Sequence, residues 1–199
     1  MSEENFSPQE SLEVIRSMLQ KTREGVRGND IYFLVWGWLT FSCCIAQFIL
    51  KHVLNYPKHY LVWWAVFAGV IISVIISAKQ KKQKTVRTYT SESMGFLWTG
   101  MGISFFVLSM IISSTGWDKN PFPFFILLYG LGTFISGCLL RFKPFIIGGI
   151  LAWLIAIGSA YIEYDYQVLA AGLAIMVSYL IPAYMLRNTI SKEERKKNV

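Results

Sequence analysis

The chain has 199 residues, 54% of them hydrophobic and 16% aromatic, and its mean hydropathy of +0.43 sets it apart from ordinary water-soluble domains and points to a bilayer protein. Its net charge of +7 sits in short segments between long uncharged stretches, so it does not form the basic folded face of a nucleic-acid binder. The three cysteines, Cys43, Cys44 and Cys138, fall inside apolar runs, which excludes a secreted disulfide framework and any CxxC metal or redox motif.

Residues 1–30 are polar and read as a cytoplasmic segment containing an amphipathic helix over 7–27. Ser7 supplies the N-cap, Pro8 the first helical position and Glu10 the far side of a capping box, while Gly28 is the stop. Leu12, Ile15, Leu19, Thr22 and Val26 recur at helical spacing and form one apolar stripe. That stripe suits the inner membrane surface, with Arg16, Lys21, Arg23 and Arg27 on lipid phosphates; it also suits pairing with a second copy or a cytoplasmic protein partner.

Crossing the hydrocarbon layer takes about 20 apolar residues in a helix, because unpaired backbone groups in lipid are too costly for irregular structure. Six stretches qualify, at 31–50, 60–78, 93–114, 121–140, 144–162 and 167–186, giving an all-α polytopic domain over 31–186 and a basic tail over 187–199. Alternate connections hold 16 and 3 of the 19 Lys and Arg residues, a bias that places both termini in the cytoplasm. The basic side includes Lys81, Lys82 and Lys84 of the loop after the second span and the "KEERKK" run of the tail, all candidate contacts for anionic headgroups. The opposite side holds Asp118, Glu163 and Asp165 together with Tyr60, Trp63, Trp64, Trp117, Phe122, Tyr161, Tyr164 and Tyr166, the composition of an interfacial aromatic belt. The first span follows a polar segment and is long for a signal-peptide core, so it is expected to be retained.

Small residues mark where helices approach closely in lipid. Gly148, Ala152, Ala156 and Ala160 run along the fifth span, Ala170, Ala174 and Ser178 along the sixth, and Gly130, Thr133 and Gly137 along the fourth, so these three spans are expected to pack tightly. Gly100 and Gly102 are read as packing residues of the third span, and Pro182 predicts a kink in the last.

The deep positions carry no ionisable side chain of the kind a coupled carrier or membrane enzyme needs. Gln47 is the most polar of them and, with Thr40 and Thr133, would line any cavity at mid-membrane. His52 and His59 are expected to be solvated loop residues, and Glu163 and Asp165 ordinary turn residues. No HExxH, Walker A or GxSxG motif occurs, so the chain is expected to be non-enzymatic, with no catalytic, metal or cofactor site.

The segments "LVWGWLTF" at 34–41 and "LLYGLGTF" at 127–134 share four residues in register. As an internal duplication they would make two inverted three-span halves, the architecture of a small carrier for neutral or lipid-like solutes. The other reading is an interaction or accessory protein working through its basic cytoplasmic face. The combination of "YFLVWGWLTF", "LYGLGTFISG", "LRFKPFIIGGILAW" and "VSYLIPAYMLR" after "ESLEVIRSMLQKTREG" resembles an uncharacterised family of small six-span bacterial inner-membrane proteins. The resemblance implies the six-helix fold and the inner membrane, and carries no activity and no functional residues.

Overall fold

The protein is represented by a computed structural model, which describes residues 29–83, 89–115 and 120–197, with no strand among them. The amphipathic stripe of Leu12, Ile15 and Leu19 lies outside the described residues, as do Lys84, Trp117 and Asp118 and the side chains of Lys81 and Lys82.

Helix α1 spans Asn29–Phe48 and continues through a π-helical turn at Ile49–Val53. A 3-10 segment, His59–Trp64, leads into α2 at Ala65–Gln83, and α3 covers Tyr89–Thr115. Then come α4 at Phe122–Leu140, α5 at Lys143–Ser159 and α6 at Tyr164–Ile175. A second π turn at Met176–Leu180 joins α6 to α7, Ile181–Lys197. Helix therefore covers most of each of the six predicted stretches, and among the described residues five candidate spans are long and apolar enough to cross a bilayer. The expected fifth span, 144–162, stops at Ser159, leaving α5 with 17 residues. At 1.5 Å per residue that is about 26 Å, just short of the hydrocarbon thickness of about 30 Å.

Proline and left-handed backbone set the sharp turn between α4 and α5. Arg141 takes φ 51° and ψ 41°, its N–H bonds Cys138 O, and the Phe142 N–H bonds Gly137 O at 2.9 Å, closing α4 in a Schellman motif. Pro144 then stands in the first turn of α5, where its missing N–H leaves no helical bond unmade.

The small-residue stripes do what their spacing predicts. The α4–α5 contact is the most extensive in the fold, because a Cβ on Gly137 would stand 2.6 Å from the Ile146 nitrogen and one on Gly149 2.8 Å from Gly130 O. Gly148 abuts the π turn, its Cβ position 2.8 Å from Ser178 Cα, and Ala152 and Ala156 are buried beside it, while Ala160 is exposed past the end of α5. From the other side Gly37 of α1 receives Leu180 and Tyr179. Where a kink is expected at Pro182, the helix has this π turn, which ends two residues before the buried proline.

Gly100 and Gly102 correct the expectation of packing: no atom comes within 4 Å of a Cβ built on either. Their helix lies on the rim. In the apolar windows of the second and third helices only 6% of residues are buried, against 39% in the first and fourth and 56% in the last. Helix α2 leans on α1, with Gly69 against Trp36 and Leu39 and the Trp36 indole donating to Ser73 Oγ at 2.9 Å. Helix α3 leans on α4 through Trp98 and Met101 at Gly132 and through Phe105 at Phe125 and Tyr129. The segments 34–41 and 127–134 consequently sit in unlike surroundings, since Gly37 meets the π turn whereas Gly130 meets Trp153 and Gly149.

Candidate functional site

The turns at 54–58 and 160–163 and Asn120 gather at one end of the bundle, called here the turn end, through contacts of Lys51 with Asp165 and of Gln167 with Asn120. The π turn of α1 carries Lys51 and His52 there, the 3-10 segment brings His59 and Trp63, and the start of α6 brings Tyr164 and Asp165.

Gln47 is the inner end of the resulting network and is 1% exposed. The Trp63 indole N–H donates to Gln47 Oε1. An indole nitrogen is a donor only, so this contact fixes which end of the amide is oxygen. Gln47 Nε2 then faces the Tyr164 hydroxyl at 3.0 Å and His59 Nδ1 at 3.3 Å. An amide N–H requires a lone pair opposite, so His59 Nδ1 is the acceptor and its proton resides on Nε2.

Above this core lies an ionic layer. Lys51 Nζ stands 2.7 Å from Asp165 Oδ1 and 3.5 Å from the centre of the Tyr164 ring, a combined ion pair and cation–π contact. His52 Nδ1 lies 3.3 Å from Asp165 Oδ2, and its ring stacks on Phe48 at 5.1 Å. Asp165 occupies the first turn of α6, where a carboxylate also meets the positive end of the helix dipole. Lys51, His52, Asn55, Tyr56, Pro57, His59 and Asp165 line an open pocket of about 430 Å³ above the network.

Several expectations change here. His52, His59 and Asp165 belong to one connected cluster instead of being separate loop residues, although His52 stays solvent-exposed as expected, and Glu163 remains an exposed turn residue. Trp63, Tyr164 and Phe122 turn from the expected aromatic belt into the interior, with Phe122 buried between the other two rings. Tyr60, Trp64, Tyr161 and Tyr166 keep the exposed positions of a belt. The sequence reading passed over Gln167, which is fully buried and donates to Asn120 Oδ1 at 2.6 Å and to Ile162 O at 2.9 Å. Its signal was available: a glutamine opening an apolar run after four charged or aromatic residues, Glu163 to Tyr166.

Deeper in the bundle Thr40 Oγ1 and the Tyr129 hydroxyl share a 3.0 Å hydrogen bond, and Thr133 is fully buried with its hydroxyl unpartnered. Cys43 and Cys44 are buried and Cys138 is exposed, all as free thiols. Among the described residues no three His, Cys, Asp or Glu side chains are placed to hold a metal ion together. A second, apolar opening of about 350 Å³ lies between α3 and α4, lined by residues such as Ile103, Val107, Phe124 and Leu127. Comparison with protein-family models, with curated proteins and with solved structures finds no match to this chain.

Proposed function

We propose that the chain is a six-span protein of the bacterial inner membrane, with both termini in the cytoplasm, acting without catalysis as an interaction or accessory protein. Its basic cytoplasmic face contacts anionic headgroups and a protein partner. The observation that carries this reading is the state of the bundle interior. Gln47, Thr40 and Thr133 are 1%, 2% and 0% exposed, and side chains from the 3-10 segment, α4 and α6 occupy the space beside Gln47 and Thr40 that a carrier would keep open. The charge distribution supports the orientation: exposed Arg141, Lys143 and Arg187 lie at the end away from the turns, while exposed Glu163 and the ring-bearing residues Tyr60, Tyr161 and Tyr166 lie at the turn end.

The test is limited trypsin digestion of the full chain in nanodiscs of neutral lipid and of mixed neutral and anionic lipid. Anionic lipid should slow cleavage at the basic run 79–87 and in the tail 187–199 severalfold, with high salt reversing the effect. Equal cleavage rates in the two lipids would refute headgroup contact. Cysteines placed singly at 56, 118 and 163, on a chain stripped of native thiols, should react with an impermeant maleimide in intact cells. Those at 28, 84 and 192 should not.

A further inference from the structure

We propose that the turn end is a two-histidine proton switch, in which protonating His59 releases the start of α2 from α1 while protonating His52 tightens α1 onto α6. The two imidazoles line the same pocket yet face opposite chemistry. His52 turns Nδ1 to the Asp165 carboxylate at 3.3 Å, and an added proton converts that contact into a charge-assisted pair. His59 turns Nδ1 to the Gln47 amide nitrogen at 3.3 Å, and an added proton sets donor against donor.

Gln47 cannot resolve the conflict by rotating its amide. The rotated group would offer Oε1 to His59 but would point its N–H groups at the Trp63 indole, which has no lone pair to accept them. Either the His59 or the Trp63 contact is therefore lost on protonation, and both residues belong to the six-residue 3-10 segment that begins the second span. The charges around His59 do not remove the conflict. Lys51 and Asp165 share its pocket, with Lys51 disfavouring the charged ring more than Asp165 favours it, and Lys58 precedes it with an exposed side chain. Tyr60 and Tyr164 present rings at 6.1 and 6.3 Å, and the Tyr164 hydroxyl already accepts from Gln47. Around His52 stand Phe48, Tyr166 with its ring at 6.1 Å, and Lys51, which shares Asp165.

The consequence reaches beyond the pocket because α2 packs chiefly on α1 and is among the least buried helices. A span held by few contacts is the one that a single lost joint can move. Burial first, and then the Lys51 ammonium, hold His59 below the ordinary histidine range, so its release belongs to the acid side of neutrality at the turn end. Only the choice of compartment rests on the topology proposed above.

The experiment follows fluorotryptophan at Trp63, assigned by Trp63→Phe, together with the imidazole nitrogens of His59, in the full chain in detergent micelles from pH 8 to pH 5. At pH 8 the His59 proton should be on Nε2. As pH falls, the Trp63 resonance should shift along the same curve as the His59 nitrogens. The shift should vanish in His59→Gln and persist in His52→Ala. A proton on Nδ1 of His59 at pH 8, a Trp63 resonance that stays fixed, or a shift surviving in His59→Gln would each overturn the switch. Should His59→Gln not fold, the tautomer and the paired titration in the native chain decide the matter. Because the measurement uses micelles, it stands or falls independently of membrane orientation.

Discussion

Gly148→Ala gives the sharpest test of the packing argument. The added Cβ would meet Ser178 Cα at 2.8 Å, its carbonyl oxygen at 3.0 Å and its carbonyl carbon at 3.3 Å, all backbone atoms of a buried turn. Ordinary contact between carbon atoms is about 3.5–4.0 Å, so α5 and the π turn would have to part by roughly 1 Å at their crossing. No side chain is in the way that could rotate aside. Overpacking of this kind costs about 1–3 kcal/mol. For a chain of this length each kcal/mol corresponds to roughly 2–4 °C, which predicts a midpoint lower by about 5 °C. Thermal unfolding in one detergent, followed by size-exclusion of the surviving monodisperse protein, measures it. Gly100→Ala is the matched control, since nothing stands within 4 Å of its Cβ. An unchanged midpoint in Gly148→Ala, or an equal fall in Gly100→Ala, would refute the reasoning.

Other consequences follow from the turn end and the thiols. Gln47→Leu keeps the bulk of a side chain 1% exposed but deprives Trp63, Tyr164 and His59 of their shared partner, so stability should fall by about 1–3 kcal/mol on chemical denaturation; no loss would mean that the network is not a clamp. A double-mutant cycle of Lys51→Met and Asp165→Asn should yield a coupling of no more than about 1 kcal/mol, because the side chains are 33% and 25% exposed, and that coupling should shrink in salt. Maleimide should modify one thiol per folded chain, at Cys138, and all three after denaturation, as intact mass would show; early reaction at Cys43 or Cys44 would contradict their burial.

Helix positions were largely legible because the bilayer imposes its requirement locally. A run such as 121–140 has to satisfy its own backbone hydrogen bonds, and the apolar stretch that permits this is visible without knowing any neighbour. The α4–α5–α6 packing was legible for a related reason: Gly137, Gly148 and Gly149 are small because backbone stands against them. Gly100 shows where that logic ends, since a glycine on a rim helix reads in sequence the same as one at a crossing.

The candidate site was less legible. Gln47 could be singled out as a buried amide, but its partners Trp63 and Tyr164 lie 16 and 117 residues away, in stretches that composition alone assigned to an interfacial belt. His52 and Asp165, 113 residues apart, resembled independent loop residues until the π turn of α1 and the start of α6 brought them together. Sequence by itself determined that the chain is helical, membrane-like and asymmetric in charge. Only the tertiary structure decided which helices are interior and which polar groups meet. Lipid and protein core are equally apolar, so hydropathy cannot separate α3 at the rim from α4 within, and hydrogen-bond partners are chosen by the packing of helices rather than by their composition.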